Sequence, residues 1–145
     1  MTKTEQISDS VFGDNGTVYK AGNQVWAGFK KHFGQTNLDI LVLTNIEDGA
    51  ITQSQRAFYR EMEEWYAKRS SKVLRRILNA MQFSAPANLH RLTGNIADHL
   101  QLESIDIRHQ PEGRFVLRYR TDLDVYGWYA SISTSYRIIH CGPLD

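Results

Sequence analysis

Two groups of side chains in this sequence invite a chemical reading. One is the set of potential metal ligands, and the other is a run of carboxylates, arginines and aromatics around Arg120. The ligand candidates are His32, His90, His99, His109, His140 and Cys141. None falls into the HExxH, HxH or CxxC spacing that brings two ligands onto one ion. His140 and Cys141 are neighbours on a predicted strand, where successive side chains leave on opposite faces, so they do not readily share an ion. Asp122 and Asp124 do share a face, which suits a divalent cation but is equally ordinary at a polar strand end. No metal and no cofactor are expected.

Nucleophilic catalysis has no sequence support. There is no GxSxG elbow, and no paired motif supplies Cys141 with a base, which leaves it reading as a small buried hydrophobe. Gly13-Asp14-Asn15-Gly16 lacks the lysine and serine of a phosphate loop. The helical region carries Glu61, Glu63 and Glu64, then Lys68, Arg69, Lys72, Arg75 and Arg76. Such a basic run can meet phosphates, but acid before base also suits the helix dipole and spaced ion pairs such as Glu64 with Lys68, so a solvated face is the preferred reading. The richest local feature is Tyr126-Gly127-Trp128-Tyr129, beside Asp122, Asp124 and the Arg118/Arg120 face of the preceding strand. Arg, Tyr and Trp together are the composition of protein-binding hot spots. Alternation puts Tyr126 and Trp128 on one side and Tyr129 on the other, and one of the two sets belongs in a core.

The elements that position these residues follow from patterning. At 145 residues, with 41% hydrophobic and 23% charged residues, the chain reads as one domain, residues 1–145, able to bury an apolar core without staples. Disordered, collagenous and disulfide-rich classes are excluded. Seventeen Lys and Arg against 16 Asp and Glu provide no overall field for nucleic acid or an anionic membrane. No apolar run reaches the ~20 residues of a membrane span, and Met1–Gln6 has no apolar stretch of a signal peptide, so the expected compartment is the cytoplasm.

Gly and Asn punctuation over the first 45 residues predicts a meander of short antiparallel strands at 11–14, 17–20, 24–33 and 37–44. Leu38, Ile40 and Val42 share one face of the last strand, Leu41 and Leu43 the other, which predicts a strand covered on both sides. Helix begins near Thr52, with Gln55 placed to complete a capping box. Phe58, Met62, Trp65 and Tyr66 form one stripe, and Leu74, Ile77, Leu78 and Met81 form a second, rotated by roughly 100°. The phase slips near Ser70-Ser71, predicting a kink or two consecutive helices that end before Pro86. Residues 87–100 read as a short helix or turn. A hairpin follows, with Ile105 and Ile107 before the Gln110–Gly113 turn and Phe115, Leu117 and Tyr119 after it, and strands at 126–133 and 136–141 complete a second meander. The expected fold is α+β: antiparallel β-meander, long helix or helix pair, second antiparallel β-meander.

Read end to end, Val11-Phe12-Gly13-Asp14, Val25-Trp26-Ala27-Gly28, Ile51–Gln55 leading into a long helix with Tyr59, and Asp122–Gly127 followed by Ile138–Gly142 resemble a group of bacterial domains found among immunity proteins of polymorphic-toxin and contact-dependent competition systems. In that group an acidic residue is followed by His and Gly in the late segment, whereas Tyr126 precedes Gly127 here. The resemblance implies an intracellular α+β domain that binds a cognate toxin protein, without catalytic residues. The contact residues expected on this reading are Arg118, Arg120, Asp122, Asp124, Tyr126 and Trp128. The competing expectation is a small enzyme or ligand-binding domain with a polar site near Asp122, Asp124, Arg118 and His140.

Overall fold

A computed structural model describes residues 2–32, 39–84, 86–91, 94–123 and 126–144. The protein is α+β, with one long helix and one eight-stranded sheet. Four strands, β1 (Thr2–Asp9), β2 (Gly13–Ala21), β3 (Gln24–His32) and β4 (Asp39–Asn45), precede the helix α1 (Gln53–Ser84). Four more follow it: β5 (Leu100–Asp106), β6 (Arg114–Thr121), β7 (Trp128–Ser133) and β8 (Ile138–Pro143). Spatial order equals chain order, and every neighbouring pair is antiparallel except β4–β5.

That parallel pair corrects the expectation of two separate meanders. Parallel neighbours need a long crossover, and α1 is that crossover. Val42 comes to lie beside Ile105 and Leu43 beside Asp106, so the two halves continue as a single sheet.

The edge strand β1 was not expected. Its sequence, TKTEQISD, has no apolar alternation, because an edge strand draws its order from the neighbour it pairs with. Residues 11 and 12, expected in a strand, sit instead in the turn between β1 and β2, where Val11 and Phe12 are buried. Asp9 shapes that turn, its Oδ2 accepting from the amides of Val11 at 2.9 Å and Phe12 at 3.0 Å. Its Oδ1 accepts from Arg56 Nε of α1 at 2.8 Å, tying the first hairpin to the helix start. Burial acts to raise the Asp9 carboxyl pKa, but Arg56 and the two amides outweigh it and hold the pKa below its ordinary value.

The helix start is the expected capping box: Gln55 N donates to Thr52 Oγ1 at 3.2 Å and Thr52 N to Gln55 Oε1 at 2.6 Å. Gln55 also donates through Nε2 to Thr44 and to the Asn45 carbonyl, joining the cap to β4. From there α1 runs as one helix through Ser70-Ser71 to Ser84, which gives the long helix of the expectation and corrects its alternative of a helix pair. The buried stripe is Phe58, Tyr59, Met62, then Val73, Leu74, Ile77 and Met81, with half-buried Tyr66 and Ser70 in between. Met62, Tyr66, Ser70, Val73 and Ile77 keep three- and four-residue steps, so the face persists and a small polar residue merely interrupts its apolar signal. The 3₁₀ turns Pro86–Arg91 and Ile96–Asp98 follow, as expected for that stretch.

One face of the sheet meets α1. It presents Ala27, Phe29, Ile40, Val42, Ile105, Phe115, Leu117, Tyr119, Trp128, Ala130 and Ile132, all members of one core cluster with the helix stripe. Phe12 rests on Tyr59 at 4.9 Å, and Phe58 meets Phe115 edge-on at 5.5 Å. Trp65 stacks at 5.0 Å on Tyr136, which holds a left-handed φ of 67° in the β7–β8 turn. Tyr66 and Tyr119 join hydroxyls at 2.6 Å between helix and sheet.

The opposite face carries no helix among the described residues. This corrects the expectation that the 37–44 strand is covered on both sides: Ile40 and Val42 are buried, whereas Leu41 is exposed and Leu43 half-buried. Leu38 lies outside the described residues.

Candidate functional site

Alternation sets up the open face. Phe115, Leu117 and Tyr119 enter the core, which turns Arg114, Val116, Arg118 and Arg120 outward on β6. On β5, Ser104 pairs with Arg118 and Asp106 with Val116, so Asp106 and Arg118 are diagonal neighbours on the outer face. Arg108 stands two residues past Asp106 and reaches back over it.

Asp106 is fully buried, although no described helix lies over it. Its Oδ1 accepts from Arg108 N at 3.1 Å and Arg108 Nε at 2.9 Å, and its Oδ2 from Arg108 Nη2 at 2.8 Å and Arg118 Nη1 at 3.2 Å. Burial pushes this carboxyl pKa up, but the Arg108 hydrogen bonds and the charges of both arginines outweigh it and bring the pKa below its ordinary value. The hydrogen bonds to Asp106 in turn raise the Arg108 pKa against the effect of its own burial. The carboxylate is therefore ionised, and two guanidiniums share it.

Aromatic groups flank this cluster. The Arg108 guanidinium lies over the Trp26 ring at 5.1 Å, and Trp26 stacks on Tyr19 at 5.9 Å. The Arg108 carbonyl accepts from Asn45 Nδ2 at 2.6 Å, fixing the turn that carries it. On the other flank Arg118 pairs across strands with Tyr129, whose hydroxyl is 2.8 Å from His140 Nδ1. The open face thus runs from Tyr19 and Trp26 through Arg108, Asp106 and Arg118 to Tyr129 and His140.

Arg118 is at the centre of the cluster, and exposed Arg120 is two positions along, donating to Gln101 at 3.3 Å. Asp122 lies past the end of β6, exposed, with its Oδ1 2.8 Å from His99 Nδ1. Tyr126 is exposed just before β7. Asp124 lies outside the described residues. Trp128 is fully buried on the helix side, so it offers no contact surface and belongs to the core. Within the alternative polar set, Arg118 bonds to Asp106, His140 lies against the Tyr129 hydroxyl, and Asp122 lies against His99.

His140 and Cys141 leave β8 on opposite faces, pairing with Ser131 and Ala130. Burial raises the Cys141 thiol pKa, opposed by Arg76. Among the described residues no three His, Cys, Asp or Glu side chains gather closely enough to hold a metal ion. No described helix is long and apolar enough to cross a membrane.

Sequence reasoning missed Asp106, Arg108, Trp26 and Tyr19. A signal for the first two was present in Ser104-Ile105-Asp106-Ile107-Arg108, where two isoleucines claim the core face and put an acid and a base together on the other. Trp26 and Tyr19 carried no signal of proximity, because their pairing depends on the β2–β3 register.

Compared with protein-family models, with curated proteins and with solved structures, the chain finds no match in any of the three.

Proposed function

We propose that this domain is a cytoplasmic immunity protein that binds and neutralises a cognate bacterial toxin, using the open face of its sheet as the contact surface. The observation that carries the reading is the composition of that face. Arginines and aromatic rings, the side chains that dominate binding hot spots, lie side by side on the strands and on the turn that follows β5, with no described helix over them. Side chains already held in place, as Arg108 and Arg118 are by Asp106, lose less freedom on association, which favours binding. A patch of roughly 800 Å² per partner is within reach of one face of an eight-stranded sheet. Arg118, Arg120, Asp122 and Tyr126 belong to the surface or its margin, whereas Trp128 acts from beneath by supporting β7.

The test is co-expression with the product of the neighbouring reading frame. Restored growth and co-elution of the two proteins are expected, with binding weakened by Arg118→Ala or Tyr129→Ala in variants that melt like the parent. Turnover of a small substrate by the isolated domain, with no neighbouring gene product bound, overturns the reading.

A further inference from the structure

We infer that the Arg108–Asp106–Arg118 cluster is a carboxylate-binding fork that receives an Asp or Glu side chain of the partner; this rests on the protein-binding reading above and names the chemistry of the partner's contact.

The charge count on the cluster motivates it. Two guanidiniums share one carboxylate, which leaves a fixed charge of +1 at the centre of the open face. Exposed Arg120 adds a further cation on the same side of β6. Glu103, exposed at the β5 bulge, forms no ion pair with these arginines among the described residues. The whole chain is nearly neutral at +1, so this is a local basic patch that complements an acidic patch on a partner.

Geometry specifies a carboxylate rather than diffuse negative charge. Arg118 commits only Nη1 to Asp106, and its side chain is 30% exposed. Its Nε and Nη2 make no hydrogen bond among the described residues, which leaves the planar side-on donor pair that binds a carboxylate bidentately. Arg108 uses Nε and Nη2 on Asp106 and is 26% exposed, and its guanidinium lies over the Trp26 ring at 5.1 Å. Asp106 thereby acts as a positioning residue: it holds both forks in place, so the ordering cost of two long side chains is met before any partner arrives. Tyr129, directly across from Arg118, supplies an aromatic wall beside the open donors.

The experiment titrates the full chain, labelled at arginine Nε, with a capped hexaglutamate peptide, an uncharged hexaglutamine and a short oligothymidylate, and follows the Arg108 and Arg118 Nε–H resonances by NMR. Hexaglutamate is expected to shift both saturably and in a salt-dependent way, and hexaglutamine is expected to do nothing. Arg118→Gln should weaken the hexaglutamate response about tenfold or more, the loss of one charge-assisted bidentate contact. Arg118→Lys keeps the charge but not the fork and should fall in between. Arg75→Gln, on the exposed side of α1, should change nothing. The absence of any hexaglutamate shift, an equal loss in Arg75→Gln and Arg118→Gln at matched melting temperatures, or stronger binding of oligothymidylate each overturns the inference. Its failure is separable from failure of the proposed function. A toxin that co-elutes undiminished with Arg118→Gln removes only the fork, whereas hexaglutamate binding without any co-eluting partner removes only the immunity reading.

Discussion

Replacing Asp106 by Asn tests whether the open-face cluster is held by one buried charge. The substitution keeps the shape but turns an acceptor that serves four N–H groups into a neutral amide, half of which faces guanidinium donors. Removing one partner of a fully buried ion pair costs about 3–5 kcal/mol. Here Arg108 and Arg118 are 26% and 30% exposed and can turn to water, so a loss of about 2–4 kcal/mol is expected once solvent screening is allowed for. With a urea slope near ~2 kcal/mol per molar, the unfolding midpoint should fall by about 1–2 M. The pH dependence adds a second readout. The folded pKa of Asp106 lies below its ordinary value, so its contribution is fully present above the unfolded pKa of about 4 and fades as pH falls through the folded pKa. The stability gap between parent and Asp106→Asn should therefore be widest near neutrality and close below about pH 4. A gap under ~0.5 kcal/mol at neutral pH, the scatter of ordinary surface substitutions, or one that stays constant down to acid pH, refutes the charge-sharing account.

Three further outcomes are expected. Trp128→Ala should destabilise by about 3–5 kcal/mol because the ring is wholly buried, whereas half-buried Trp65→Ala should cost about half as much; equal losses in urea unfolding contradict the assigned burial. At Gly16 an added Cβ would stand 2.3 Å from Phe29 Cε1 and 2.7 Å from Ile7 Cγ2, so Gly16→Ala should cost about 1–3 kcal/mol through overpacking, and an unchanged melting temperature counts against that β1–β3 packing. Cys141, with its thiol pKa raised by burial, should alkylate more slowly than free cysteine at neutral pH, and a rate matching the free amino acid contradicts the inward placement.

The parts of the fold legible in the sequence are those where local pattern and tertiary contact agree. Thr52 and Gln55 cap the helix with atoms three residues apart, and the β5–β6 hairpin turns at a Pro–Glu–Gly segment between alternating runs. The β1 strand was illegible because its order comes from pairing with β2. The β4–β5 junction was illegible because a parallel contact spanning the whole helix leaves no local trace. Ser70 misled the helix reading, since a small polar side chain can occupy a stripe that packs closely on its neighbours. At the candidate site, Arg118 and Arg120 were legible as the polar side of an amphipathic strand. Trp128 was misplaced because composition marks an aromatic as an anchor without saying which face it takes, and the β6–β7 register, with Tyr119 opposite Trp128, decides it for the core.

The open face also explains why a carboxylate is buried where no described helix covers it. A 32-residue helix is about 48 Å long at 1.5 Å per residue, enough to line one side of the sheet but not two. The other side still carries Trp26 and Val116, which are only 9% and 8% exposed. Among the described residues side chains rather than a second layer cover them, and Arg108 lies across the Trp26 ring. Arginine stems can shield apolar surface while keeping their heads wet, but two guanidiniums so close together repel unless an anion sits between them. Asp106 is that anion, and it compensates only one of the two charges. Covering this face with arginine instead of another helix therefore leaves the surface both ordered and cationic, the two properties an acidic partner surface would use.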